Sequence, residues 1–248
     1  MSKVRSSSPI LTDRLMLRRW RGDDRAPFAK MNADPRVMEF FVQVLDRDTS
    51  DALVEKFEVH FEAHGFGLWA LEDRASGAFA GFTGLQLMEF EAPFTPCVEV
   101  GWRLPFAFWG RGLASEAARA AIAYGFESLR LPEIVACTAF CNMRSQRVME
   151  RIGMARVPKG DFIHLKMPAD HPLQPSVLYR IQAGRHRRTG GLRRHNWREI
   201  DEQAPAPRQF RAVPRDDGAS RQSPEGLCGR SEGSASGDRD EGRPVPDL

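Results

Sequence analysis

Val98-Glu99-Val100-Gly101-Trp102-Arg103-Leu104, followed by Phe108-Trp109-Gly110-Arg111-Gly112-Leu113-Ala114-Ser115-Glu116-Ala117, is a β-run that feeds a glycine-broken turn and then an alanine-rich helix. A helix start leaves backbone N–H groups without partners and carries partial positive charge. A pyrophosphate placed there gains several donors and a dipole contribution of roughly 0.3–1 kcal/mol. Gly110 and Gly112 remove Cβ atoms from the turn, so the backbone can approach a phosphate, and Ala114 keeps the first helical turn small. The spacing departs from two other phosphate motifs. A dinucleotide fold wants an acid at the end of the next strand, whereas Glu133 precedes Ile134–Ala139, and a P-loop wants Lys-Ser or Lys-Thr at the turn. On spacing alone, phosphate binding and plain helix capping both stay open.

The 248 residues are 42% hydrophobic and 28% charged, with a formal net charge of +3, a length suited to one or two domains. Periodic apolar segments continue to Gln182. From Ala183 to Leu248, Arg, Gly, Pro, Ser, Asp and Glu dominate, so little surface there can be buried and disorder is expected. The expected organisation is a flexible start over 1–8, one folded domain over 9–182 and a tail over 183–248. Arg185-His186-Arg187-Arg188 and Arg193-Arg194-His195 form a basic block able to meet RNA or ribosomal phosphates. The rest of the tail mixes arginines with acids, so a solvated extension is preferred over nucleic-acid contact.

The cysteines at 97, 137, 141 and 228 form no C-x-x-C pair and have no histidine at ligand spacing, so no metal is expected. Reduced thiols suit a cytoplasmic protein. No apolar run approaches the roughly 18–20 residues of a membrane span, and Met1–Ser8 lacks a signal-peptide core, so neither membrane association nor export is expected. Monomer and homodimer both fit.

Along the chain, Leu15–Trp20 reads as a strand, and Gly22-Asp23-Asp24 caps a helix to about Asn32. Pro35 suggests a first helical turn before Val37, Met38, Phe40 and Phe41, and Ser50 or Asp51 caps a helix bearing Leu53, Val54, Phe57 and Phe61. Gly67–Glu72 and Ala78–Leu87 form a hairpin about Arg74-Ala75-Ser76-Gly77, and Cys97–Leu104 continues the meander. The helix after Gly112 ends near Leu131-Pro132. Then come the strand Ile134–Phe140, a helix Ser145–Ile152 stopped by Gly153, and the strand Ser176–Gln182.

This ordered set resembles the GNAT acetyltransferases, in particular their RimJ/RimL-like branch of ribosomal-protein N-terminal acetyltransferases, over about Pro9 to Gln182. The segments that carry the resemblance are Leu11-Thr12-Asp13-Arg14-Leu15, Asp34-Pro35-Arg36-Val37-Met38, Gly81-Phe82-Thr83-Gly84-Leu85, Glu99-Val100-Gly101-Trp102, Trp109–Ala117 and Asn142–Met154. It implies an α/β (α+β) fold with a central, mostly antiparallel mixed sheet flanked by helices. It also implies acetyl-CoA as cosubstrate and a primary amine as acceptor, either a protein N-terminal α-amine or a small amine.

The resemblance implies that the strand Val98–Arg103 splays from its neighbour and offers backbone groups, Val100 and Trp102 among them, to the pantetheine arm. The amides of Trp109, Gly110, Arg111, Gly112, Leu113 and Ala114 would take the pyrophosphate, with the Arg111 side chain a further cation or a solvated charge. Asn142 would bond the pantetheine and Ser145 lie near the thioester, against simple helix capping for both. An α-amine with a reference pKa near 7.7–8.0 needs less help from a base than a lysine near 10.4. Glu99, between Val98 and Val100, is the candidate base, directly or through water, against an arginine-paired strand carboxylate. A backbone amide near Val100 or Trp102 would face the carbonyl oxygen.

One departure concerns the general acid, because the segment just after Ser145 holds no tyrosine; Tyr124, in the long helix, and Tyr179, in the last strand, are the only two, so the acid is water or the thiolate leaves unassisted. Cys141 reads as a structural thiol rather than an acyl carrier. His164 and His171 are candidates to line the acceptor pocket, as are Trp20, Trp69, Phe40 and Phe41, which equally fit a core. A non-catalytic acyl-CoA-sensing or RNA-docking module of the same fold is the alternative reading.

Overall fold

In the computed structural model, which describes residues 8–88, 91–165 and 167–184, Ile10–Leu11 (β1) and Leu15–Arg18 (β2) open the chain as an antiparallel pair. β2 ends two residues before Trp20. Carboxylates replace the neighbouring strand there: Glu58 takes the Trp20 N–H and Asp24 the Arg21 N–H. A 3-10 turn at Gly22–Asp24 then leads into Arg25–Asn32 (α1).

Pro35 does not start a regular helix. The Asp34 side chain accepts the Arg36 N–H while its carbonyl takes Val37 and Met38, and Phe41 bonds back only to Met38, which gives successive turns. Val37 and Met38 are thereby buried. The next helix, Arg47–His64 (α2), is capped by Asp46, which accepts from the Thr49 N–H, and not by Ser50 or Asp51. Ser50 lies buried in the helix and accepts from Asn32 Nδ2 at 3.1 Å.

Leu68–Asp73 (β3), Phe79–Met88 (β4) and Cys97–Arg103 (β5) form the expected antiparallel meander. Gly81, at φ +113°, lies opposite a register shift in β3, and a Cβ there would sit 2.2 Å from the Arg103 carbonyl oxygen, so a side chain would separate the strands. Helix Leu113–Glu127 (α3) ends earlier than expected. Arg130 turns left-handed at φ +54°, and the Leu129 and Leu131 N–H groups reach back to Tyr124 and Gly125. Glu133–Ala139 (β6) and Met143–Arg151 (α4) follow, the latter stopped by Gly153 at φ +89°. Ala155–Arg156 (β7) and Phe162–Ile163 (β8) were not foreseen, and both pair with the closing strand Pro175–Gln182 (β9).

The sheet order is β1-β2-β3-β4-β5-β6-β9-β7, antiparallel except for β5 beside β6, the parallel pair that α3 crosses over to join. α3 is buried along most of its length, its run of alanines letting it lie close to the sheet over Leu85, Val98 and Val100. The opposite face carries Leu68, Ala70 and Phe82 under α1 and α2, with Trp20 edge-on to Phe28 at 4.9 Å. Residues 185–248, which hold the basic block, lie outside the described residues.

Candidate active site

β4 stays in register with β5 from Phe82↔Arg103 to Met88↔Cys97, whereas β5 and β6 register only at Glu99↔Val135. Beyond that pair the two parallel strands part. A cavity of about 500 Å³ occupies the opening, lined by Glu99–Leu104 on one side and Cys137–Ala139 on the other. Val100 and Trp102 lie in its wall. So do Trp109, Gly110 and Gly112 of the turn, and Leu113 and Ala114 at the start of α3.

Gly110 and Gly112 have φ of +73° and +75°, the left-handed region that costs an L side chain roughly 1–2 kcal/mol. The turn is held from behind by residues that the sequence reading missed. Arg14 Nη1 donates to the Arg111 carbonyl at 2.8 Å, and Glu116, in the first turn of α3, accepts from Arg14 Nε at 2.7 Å, Arg14 N–H at 2.9 Å and Thr12 Oγ1 at 2.6 Å. The Arg111 guanidinium lies 5.5 Å from the Phe108 ring centroid and outside the lining.

Glu99 is 6% exposed and reaches the cavity from the strand face opposite α3. Its Oε1 accepts from the Cys137 N–H at 3.0 Å and the Cys137 thiol at 3.1 Å, and its Oε2 from Gln86 Nε2 at 3.1 Å. Gln86 and Cys137 follow from strand register, which the sequence alone did not supply. Burial and the Glu99 charge push the Cys137 thiol well up, and burial, Glu99 and Glu133 push Cys97 to about 12.

Asn142 is the N-cap of α4: its Oδ1 accepts the Ser145 N–H at 3.1 Å, while Nδ2 donates to Thr138 Oγ1 and Ser145 Oγ. Asn142 and Ser145 both line the cavity. Across its mouth, Arg144 pairs with Glu39 and lies over Phe40 and Trp109 at 5.2 and 4.8 Å from the ring centroids. Phe40, Phe41 and His164 are wall residues. His171 is not, its Nδ1 accepting from the Leu173 N–H, and Trp20 and Trp69 belong to the core.

Neither tyrosine lines the cavity. Tyr124 packs edge-on against Trp69 at 5.2 Å, and the Tyr179 hydroxyl donates to Gln146 and Glu150. Cys141 also lies outside the lining. Arg103, which the sequence reading did not single out, is 5% exposed in the cavity wall, and burial lowers its pKa to about 9. Among the described residues no group of three or more His, Cys, Asp or Glu is placed to hold a metal, and no helix is long and apolar enough to cross a membrane.

The acetyltransferase (GNAT) domain model matches residues 14–155. YkkB of Bacillus subtilis (strain 168) is 31% identical over 152 residues, which cover 61% of this chain and 87% of that one. The FsC-acetyl coenzyme A-N(2)-transacetylase of Aspergillus fumigatus is 31% identical over 167 residues, covering 62% of this chain and 68% of its own. Among solved structures, an acetyltransferase from Agrobacterium tumefaciens str. C58 superposes with a TM-score of 0.58 at 26% identity, covering 73% of this chain and 98% of that one. A domain match across more than half of its length, on a sheet that parts beside a glycine turn, makes this chain a member of the GNAT acetyltransferases, enzymes that use acetyl-CoA.

Proposed function

We propose that this acetyltransferase moves an acetyl group from acetyl-CoA to a primary amine by direct attack, with Glu99 as general base and an N-terminal α-amine or small amine as acceptor. Acetyl-CoA supplies the activated acyl group. The observation that carries the reading is the position of Glu99: a buried carboxylate at the last point where β5 and β6 register, facing the cavity that opens beyond it. The bonds from Gln86 and Cys137 hold that carboxylate in one orientation, and a positioned carboxylate can take a proton directly or through one water.

The donor half fits the residues around it. The glycine turn and the start of α3 offer backbone donors to a diphosphate, and the edge of β5 from Val100 to Trp102, no longer covered by β6, offers a pairing edge to an amide-bearing arm. Asn142 fixes the start of α4 beside that edge, with Ser145 next to it. A backbone amide near Val100 or Trp102 faces the carbonyl oxygen. With both tyrosines turned away, the departing thiolate takes its proton from water or leaves unassisted. The motifs shared with the RimJ/RimL-like branch favour a peptide N-terminus, and an α-amine near 7.7–8.0 needs less from its base than a lysine near 10.4.

The test is release of CoA from acetyl-CoA by purified protein given peptides with free N-termini, N-blocked lysine peptides and small amines. Free α-amines or small amines should be acetylated faster than blocked lysine peptides. Glu99→Gln should lower kcat/KM by about a hundredfold while calorimetric CoA binding stays intact. A variant as active as the parent removes Glu99 as the base, and no turnover with any amine removes the reading.

A further inference from the structure

On β5, side chains alternate between the sheet's two faces, so Val98, Val100 and Trp102 face α3 while Glu99, Gly101 and Arg103 share the face toward α1 and the cavity. Arg103 pairs across the sheet with Phe82, in the cluster beneath α1 and α2. Its guanidinium lies 4.0 Å from the Phe41 ring centroid and 5.4 Å from that of Phe82. Nη1 donates to Asn32 Oδ1 at 2.7 Å, and Asn32 is oriented by its own bond to Ser50. The buried Nε has no partner, and among the described residues no carboxylate pairs with this cation.

A buried cation with an unmet donor is costly unless an anion completes it. Two aromatic rings and a neutral amide hold it without neutralising it. Among the described residues the rest of the lining carries Arg147 and Arg151, with Arg144 already paired to Glu39, against Glu99 as its acid, so the cavity favours anions over polycations. Donor phosphates are the competing occupant, but their seat at Gly110–Ala114 adjoins α3, whereas Arg103 faces the opposite side of the sheet. Gly101 leaves open space between Glu99 and Arg103: a Cβ there would meet only Leu68 Cδ2, at 3.9 Å. Four residues of extended strand separate the two Cα atoms by about 13 Å.

We propose that Arg103 is the anion-recognition residue of the acceptor site, and that the acceptor is an amine carrying an anionic oxygen group, carboxylate or phosphate, several bonds away. The amine is directed to Glu99, the anion lies on Nε and the open edge of the guanidinium, and the chain between them passes over Gly101. The assignment rests on the acetyltransferase reading of Glu99 and narrows its acceptor class.

Four amines of equal chain length separate the possibilities: an ω-amino carboxylate, the ω-aminoalkyl phosphate, the neutral carboxamide and the diamine. The parent enzyme should acetylate one or both anionic amines with kcat/KM about tenfold or more above the carboxamide and diamine; whichever anion leads names the source. Arg103→Gln should raise KM for the anionic acceptors by about tenfold with little change for the carboxamide, and KM for acetyl-CoA should stay put. Equal rates for carboxylate, phosphate and carboxamide in the parent overturn the proposal, and this comparison stands even if the variant fails to fold. A variant whose defect appears in KM for acetyl-CoA overturns it too, by assigning Arg103 to the donor. Calorimetry of each amine into CoA-loaded protein separates this inference from the reading it rests on. Arg103-dependent binding of the anionic amines without turnover would leave the subsite and remove the catalytic assignment.

Discussion

Glu99 holds a thiol as well as a glutamine, and the effect on that thiol is measurable. Cys97 and Cys137 lie near the Glu99 carboxylate, Cys97 buried in the sheet and Cys137 half-buried in the cavity wall, and burial together with that negative charge outweighs the opposing effect of Arg180 on Cys97. With Cys97 pushed to about 12, its thiolate fraction at pH 8 is on the order of one in ten thousand, and Cys137 is shifted in the same direction. Iodoacetamide at pH 8 should therefore leave both unmodified in the native protein over a time that alkylates them fully in denaturant, as read by peptide mass spectrometry. Rapid native labelling of Cys137 would mean that its thiol does not donate to Glu99, and the orientation of the proposed base would have to be reconsidered. Of this cluster the sequence disclosed only Glu99. Gln86 and Cys137 lie on neighbouring strands, and their pairing depends on a register that period-2 alternation does not determine.

The glycine turn works as an element because β1 and β2 lean on it. Burial alone would raise the Glu116 carboxyl, but the bonds from Thr12 and Arg14 outweigh it and hold the group below its ordinary value of 4.5. A depressed carboxyl stabilises the fold fully above the unfolded value, and the contribution fades as pH falls through the lower folded one. Glu116→Gln should thus cost about 1 kcal/mol near neutrality, a drop in Tm of about 2–4 °C, with the gap to the parent closing between pH 5 and the acid limit. A gap that widens in acid would reverse the sign of this coupling. Elements defined by local chemistry were readable: alternation marked β3 to β6, and Gly112 and Gly153 marked where helices start and stop. The Asp34–Phe41 segment was not, because proline followed by apolar residues at i, i+1, i+3 and i+4 suits two consecutive turns as well as a helix. The start of α2 slipped because Asp46, Ser50 and Asp51 are all acceptable caps and only packing decides among them. β7 and β8, at two residues each, are too short to show a period.

At the scale of the molecule, contacts distant in sequence complete the site. Arg14 and Glu116 are 102 positions apart, and Asn32 and Arg103 are 71. Neither pair leaves a trace in spacing, which is why the residues proposed for the donor could be named from the sequence whereas Arg103, proposed for the acceptor, could not. Among the described residues, those that line the cavity lie between Val37 and Ser176, and β9 closes the sheet at Gln182, with the Ala183 N–H bonded to the Pro132 carbonyl. A chain ending after Gly184 keeps every described strand, both described walls and that last bond. It should acetylate the same amines with kcat/KM within about twofold of the full chain, since truncation is tolerated where no buried backbone or hydrogen bond is lost. RNA affinity offers the complementary readout, because the basic block at 185–195 would be gone and any salt-dependent binding it provides would go with it. Loss of turnover beyond about tenfold at unchanged Tm would place part of the acceptor site in residues 185–248, since a folded core with an intact cavity can lose rate only by losing something that reaches into it.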